Sequence, residues 1–276
     1  MLQPLVLAVL LAAQQAEARA PAAGAPLSDQ QKEQFLLEAE VVRVKDAPDG
    51  VTGSLRGTLR LGDLTHDASI QSIDQQATQK ALGSTYEVDF RDSYRNNVAA
   101  YRLDRLLGLG MVPPSVVRRY KEGNAAYTWW LDELLMTEKQ RSKTKQAPPD
   151  VLSWNRQIYV LRVFDQLIFN FDRNLGNLLI DKEWRIWMID HTRAFKIFEE
   201  LKDKKSLPDT CEAGLLEGMR ALDKATLLAR MDGLLNGGQI EGLLGRRDVI
   251  VKHYDRLLAS RGRARVLYEL PRRSDD

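Results

Sequence analysis

The sequence predicts an α+β fold of two lobes, a small β-rich N-lobe with one helix and a mainly helical C-lobe. Three observations carry that prediction. A glycine-punctuated stretch from Val41 to Gln75 has strand-like residues separated by turn signals. A strongly amphipathic segment, Ser153–Phe169, sets Ile158, Leu161, Phe164, Leu167 and Ile168 along one helical face. A polar loop, Asp172-Arg173-Asn174-Leu175-Gly176-Asn177, then leads into a hairpin that ends just before Asp190.

Residues 1–20 hold a short apolar run, Leu5–Ala13, followed by Ala16, Ala18 and Ala20. That pattern predicts a secretory signal with an A-x-A cleavage site, although no Lys or Arg precedes the run. The run is too short to span a bilayer as a stable helix, so no transmembrane segment is expected. Residues 21–34 read as a Pro/Ala/Gly linker and the start of a helix, with Ser28 as cap and Gln31 in the capping-box position. Residues 35–135 form the N-lobe. Val41–Val44 is strand-like, Asp49-Gly50 marks a turn, and Val51–Leu61 suits a hairpin strand. Arg91–Leu107 reads as a helix closed by Gly108, and Pro113-Pro114 forces extended chain. Val116-Val117 and Tyr127–Leu131 are strands, and the polar residues 137–150 are a loop between the lobes.

The C-lobe spans 136–268. After the amphipathic helix come the hairpin Leu178–Ile180 and Arg185–Ile189, then helices over 213–235 and 239–260. Residues 269–276 are a tail, and the basic run Arg261–Arg273 reads as solvated. Apolar residues at 44% and charged residues at 28% exclude a disordered chain. The net charge is +2 with Lys and Arg spread along the chain, which argues against a nucleic-acid binder. The single cysteine, Cys211, rules out an intramolecular disulfide and a Cys-rich metal site.

The antiparallel hairpin has a chemical consequence. The start of its first strand lies beside the end of its second, so Asn177 and Asp190 should meet, with Asp172 in the loop leading in. Asp and Asn oxygens are hard ligands suited to Mg²⁺ or Mn²⁺. An acid left free of the metal can orient a hydroxyl and take its proton. A loop acid, an Asn five residues on and a metal Asp after a strand pair is the arrangement of phosphoryl-transfer sites. Asp and Asn are also ordinary turn and cap formers.

FDQLIFNFDRNLGNLLI followed by WMIDHTRAF resembles the kinase-like fold of the Golgi secretory-pathway kinases, the bacterial HipA kinases and the phosphoinositide 3/4-kinases. NNVAAYRLDRLLGLGMVPPSVVRR resembles the N-lobe helix and following strand of the secretory-pathway kinases. The resemblance covers about residues 50–200. It implies a two-lobed protein-kinase-like fold with ATP between the lobes. Asp172 would be the catalytic acid, Arg173 a structural partner in the catalytic loop, and Asn177 and Asp190 the ligands of Mg or Mn. Asn174 stands where related groups often have His.

Two departures lie in the N-lobe. The group places a Lys on a strand after the Gly-rich hairpin and a Glu on the next helix. Here the strand falls near Thr65–Ile70, without Lys, and the helix Glu falls at Asn97. Gly53 could cover phosphates or simply turn the chain, and Arg56, Arg60 or a loop residue, Lys80, could replace the lost charge. His66 and His191 suit ordinary polar roles. Trp129 and Trp130 pack as strand residues or flank a base.

Two functions remain open at this point. One is an atypical ATP-dependent kinase transferring the γ-phosphate to a hydroxyl of a protein or small-molecule acceptor. The other is a silent pseudokinase that binds a nucleotide or a partner protein. The signal predicts export, with a cytoplasmic location as the alternative.

Overall fold

A five-stranded antiparallel sheet roofs the molecule, in the order β1-β2-β3-β7-β6. The structure is a computed structural model that describes residues 27–46, 54–170, 172–271 and 273. The expected signal at 1–20 and Gly53 lie outside these residues, as do Asp49-Gly50.

Helix α1 (Asp29–Glu38) begins with the expected capping box: Ser28 Oγ accepts from Gln31 N, and Gln31 Oε1 accepts from Ser28 N. Strand β1 (Glu40–Asp46) pairs with β2 (Leu55–Leu61), which turns through Gly62-Asp63 into β3 (Leu64–Gln71). Gly62 sits at φ +57°, a left-handed conformation that suits a residue without Cβ. Phe35, Leu36, Leu59, Ala68, Ile70 and Tyr127 bury the outer face of the sheet beneath α1.

Strands β4 (Asp74–Leu82) and β5 (Thr85–Ser93) form a separate hairpin that the sequence does not announce. Lys80 is therefore a strand residue stacked on Phe90, 3.8 Å from its centroid, and not a loop residue. The hairpin lacks apolar alternation because its buried positions include Glu87, Asp89 and Asp92. Helix α2 (Tyr94–Leu106) starts three residues later than expected, at the point where Ser93 Oγ caps Arg95 N. Strands β6 (Ser115–Tyr120) and β7 (Gly123–Trp129) complete the roof.

Below it, β8 (Leu134–Thr137) pairs with β9 (Leu178–Asp181), which pairs with β10 (Ile186–Met188). The expected loop 137–150 contains helix α3 (Glu138–Thr144), set by a Thr137–Gln140 capping box that its basic composition concealed. Helix α4 (Val151–Leu167) is the amphipathic segment, capped by Asp150. Strand β11 (Cys211–Glu212) leads into α5 (Ala213–Ala221) and α6 (Lys224–Arg230). These split the helix expected over 213–235, because Asp223 caps a new start by accepting from Thr226 N at 2.8 Å. Helix α7 (Gly237–Arg261) is followed by α8 (Arg263–Val266) and β12 (Leu267–Tyr268), which pairs in parallel with β11.

The run Arg261–Arg273 is thus not a solvated tail. Val266 and Tyr268 are buried, Tyr268 donates to the Arg156 carbonyl at 2.8 Å, and Arg273 donates to the Gly110 carbonyl at 3.1 Å. The charges masked an apolar anchor, Val266-Leu267-Tyr268. Among the described residues no helix is long and apolar enough to cross a membrane.

Candidate active site

Helix α4 ends at Leu167, and its last turn supplies the foundation of the loop that follows. Asp165 Oδ1 accepts from Asn170 Nδ2 at 3.0 Å, and Asn170 Oδ1 accepts from Asp172 N at 3.3 Å. Arg173 donates to Asp165 through Nε and Nη2, both at 3.0 Å, and through Nη1 to the carbonyl of Ile189 at 2.8 Å. One guanidinium therefore joins the helix end, the loop and the last residue before Asp190. Such a fork suits Arg because its donors are fixed in one plane. Asp172 is exposed at the loop.

The hairpin geometry brings Asn177 and Asp190 together. Ile189 N donates to the Asn177 carbonyl at 3.1 Å, and Asn177 Nδ2 lies 3.4 Å from Asp190 Oδ2. Thr192 Oγ1 donates to Asp190 Oδ1 at 3.2 Å. Asp190 adopts φ +56°, a left-handed backbone that costs a residue with a Cβ about 1–2 kcal/mol. The strain is held by the residues on either side of it. His191 N donates to Asn97 Oδ1 at 2.6 Å, and Asn96 Nδ2 donates to the carbonyls of Thr192 and Ala194 at 2.8 and 2.9 Å.

Asp92, at the end of β5, lies near Asp190, a neighbour that the sequence reading missed. It is only 9% exposed, and its Oδ1 has no hydrogen-bond partner among the described residues. Burial lifts the Asp190 carboxyl above its usual range, and the nearby Asp92 carboxylate adds to the rise. The Thr192 hydrogen bond and Arg173 pull the other way. An orphaned carboxylate oxygen beside a second, half-buried acid and an amide is what a divalent ion would satisfy. Among the described residues no three His, Cys, Asp or Glu side chains cluster. Asp92, Asp190 and Asn177 thus match an ion that keeps water and phosphate oxygens in its shell, as Mg²⁺ does. The sequence reading put Asp92 inside the first turn of the expected helix Arg91–Leu107 and gave no signal for it.

The N-lobe positions fall differently. On β3 the residue facing α2 is Gln71, one beyond the expected strand, and it accepts from Asn97 Nδ2 at 2.5 Å. Asn97, where the resemblance would place the helix Glu, is therefore one half of a neutral amide pair. Arg56 pairs with Asp67 at 2.5 Å and stacks on Trp130 at 4.3 Å. Arg60 is exposed and pairs with Glu40 at 3.5 Å. Neither is brought to the Asn177–Asp190 pair by any of these contacts. Trp129 stacks on His66, with ring centroids 3.6 Å apart. His191 is buried against Phe164, and burial holds its imidazole well below the usual range, so it stays neutral in the core.

The segment after Asp190 is pinned from several sides. Lys196 and Arg193 both pair with the buried Glu87 of β5. Arg246 of α7, itself fully buried, donates to the carbonyls of Leu167 at 2.7 Å, Lys196 at 3.0 Å and Phe198. Gln239 donates to the Phe195 carbonyl at 2.9 Å.

No protein-family model matches the chain, and no curated protein matches its sequence. Solved structures do match. The structure of hydra Fam20 with sugar has a TM-score of 0.66 at 15% identity, over 87% of this chain and 92% of that one. The Golgi casein kinase with Mn/ADP bound has a TM-score of 0.62 at 14% identity, over 88% and 80%. The Helicobacter pylori proinflammatory kinase CtkA has a TM-score of 0.52 at 15% identity, over 82% and 98%. These agree with the two-lobed architecture and with the likeness to secretory-pathway kinases seen in the sequence. The chain has the kinase-like fold of Fam20 and the Golgi casein kinase.

Proposed function

We propose that the chain is an ATP-dependent phosphotransferase acting on a hydroxyl of a protein or small-molecule acceptor. The observation that carries this reading is the contact of Asn177 with Asp190 beside the orphaned carboxylate of Asp92. Asp190, Asn177 and Asp92 would hold one or two Mg²⁺ or Mn²⁺ ions. An ion bound there neutralises charge on the phosphate oxygens. Asp172 is exposed, next to this group in the chain, and suited to orient the acceptor hydroxyl. The acceptor oxygen forms a bond to the γ-phosphorus, the bond from that phosphorus to the bridging β–γ oxygen breaks, ADP leaves, and the hydroxyl proton passes to Asp172. Arg173 fixes the loop and touches no reacting atom. The fold neighbour with Mn/ADP bound supports the choice of donor and ion.

A second reading keeps the nucleotide site without transfer, and the Gln71–Asn97 pair favours it. Export is part of the proposal, supported by the apolar N-terminal run and by the Golgi kinase among the fold neighbours.

Calorimetric titration of ATP, with and without Mn²⁺, into wild type and Asp190→Ala tests the site. Metal-dependent binding lost in the variant is expected, and absence of binding under every metal condition removes the kinase reading. Transfer or hydrolysis that vanishes in Asp172→Ala while binding persists identifies an enzyme. Binding with no transfer to any acceptor, and no hydrolysis, favours the silent reading.

A further inference from the structure

Strand β10 is the outer strand of the lower sheet, so one of its edges faces no neighbouring strand of that sheet. The main-chain groups on that edge find other partners. Gln157 Nε2 of α4 donates to the Trp184 carbonyl at 3.1 Å, and Gln157 Oε1 accepts from Ile186 N at 2.9 Å. Met188 N donates to the Met111 carbonyl at 2.8 Å. One buried side chain and one loop carbonyl thus stand where a further strand would pair. Ile189 N then turns inward to the Asn177 carbonyl at 3.1 Å, and Asp190 follows.

Arg273 joins these two substitutes. Its Nη2 donates to Gln157 Oε1 at 3.0 Å and its Nη1 to the Gly110 carbonyl at 3.1 Å, while its guanidinium carbon lies 5.0 Å from the centre of the Trp187 ring. The Ile186 N–H and the guanidinium can only donate, so the Gln157 atom facing both is its carbonyl oxygen, and its NH2 is left for Trp184. Gly110, at φ +64°, admits the arginine, since a Cβ there would meet Arg273 Cβ at 2.9 Å. Burial pulls the guanidinium down to about 10, with Asp104 and Asp181 opposing, so it is charged at neutral pH. A flat fork of donors spans two fixed oxygens, which the single nitrogen of a lysine does not.

We propose that Arg273 is a positioning residue for the ion site: by holding Gln157 and the Gly110–Met111 peptide at a fixed separation, it sets the outer edge of β10 and with it the place of Asp190 against Asn177. This rests on the kinase reading above, to which the ion site belongs. Arg273 acts through main-chain groups, from the edge of β10 that faces away from β9. Charge and position predict opposite signs for its removal. Loss of a cation by Coulomb's law alone strengthens Mn²⁺ binding, whereas release of β10 weakens it.

The test measures Mn²⁺ affinity by electron paramagnetic resonance of the free ion, and amide-resolved hydrogen exchange of Ile186 and Met188 in EDTA. The chains compared are wild type, Arg273→Ala and Arg273→Lys. Arg273→Ala is expected to bind Mn²⁺ at least about tenfold more weakly and to exchange both amides at least about tenfold faster. Guanidinium ion, too dilute to denature, should restore part of both in Arg273→Ala and leave wild type unchanged. Arg273→Lys keeps the charge without the two-ended contact and should recover only part of either. A folded Arg273→Ala with Mn²⁺ affinity within about twofold of wild type, or above it, overturns the proposal. Unchanged exchange overturns it too, as does full recovery by Lys. Wild type that binds no Mn²⁺ overturns the ion site itself, and exchange in EDTA, which needs no ion, tells that failure from loss of the Arg273 link. If circular dichroism shows Arg273→Ala unfolded, Arg273→Lys carries the test, and wild-type affinity and exchange in it overturn the proposal.

Discussion

Arg173 and Asp165 form a two-nitrogen ion pair, with both contacts at 3.0 Å, and the third guanidinium nitrogen reaches the carbonyl of Ile189. Their side chains are only 11% and 12% exposed. Removing one partner leaves a poorly hydrated charge. Arg173→Ala is expected to cost about 3 kcal/mol in urea unfolding. Arg173→Lys keeps the charge but not the fork and should recover only part of that. A loss below about 1 kcal/mol would show that the pair is solvated in solution.

Asp92→Asn preserves shape and removes one charge from the proposed ion site. The Mn²⁺ affinity should fall more than about tenfold, as read by electron paramagnetic resonance of the free ion. Stability without metal should hold or rise, because a buried orphan carboxylate has been neutralised.

Gly242 and Gly245 of α7 lie against the segment after Asp190. A Cβ on Gly242 would meet the carbonyl carbon and oxygen of Ile197 at 2.7 Å. Gly242→Ala should therefore destabilise by about 2 kcal/mol despite the better helix propensity of Ala. Gly237→Ala, with nothing within 4 Å, is the control and should be neutral or slightly stabilising in thermal unfolding.

Asp104 gives a pH dependence. Burial pushes its carboxyl from 3.8 up to about 6, against the pull of Arg105, the Met111 amide and Arg273. The folded value lies above the unfolded one, so protonation favours the fold. That contribution is complete below the unfolded value of 3.8 and is lost as pH rises through about 6. Between about pH 4 and 7, wild type should lose about 2 kcal/mol relative to Asp104→Asn, measured by urea unfolding at each pH.

The parts of the fold legible in sequence are those written in apolar periodicity or cap chemistry. The α4 stripe, the β9–β10 hairpin and the Ser28–Gln31 box all appear where the sequence puts them. The meeting of Asn177 with Asp190 followed from antiparallel pairing alone. The β4–β5 hairpin was illegible because Glu87 and Asp89 are buried by Lys196, Arg193 and the Ile197 amide, partners some 100 residues away. Asp92 was illegible for the same reason, since its place beside Asp190 is set by that hairpin. Arg261–Arg273 misled because charge outnumbered its three apolar anchors.

The segment from Thr192 to Phe198 is held mainly through its carbonyls. Those of Thr192, Ala194, Phe195, Lys196 and Phe198 each receive a side chain from α2 or α7. A main-chain oxygen is present whatever residue carries it. The path of this segment is therefore written chiefly in Asn96, Gln239 and Arg246, and its exposed position Ile197 is free to drift over evolutionary time while those three distant residues are not.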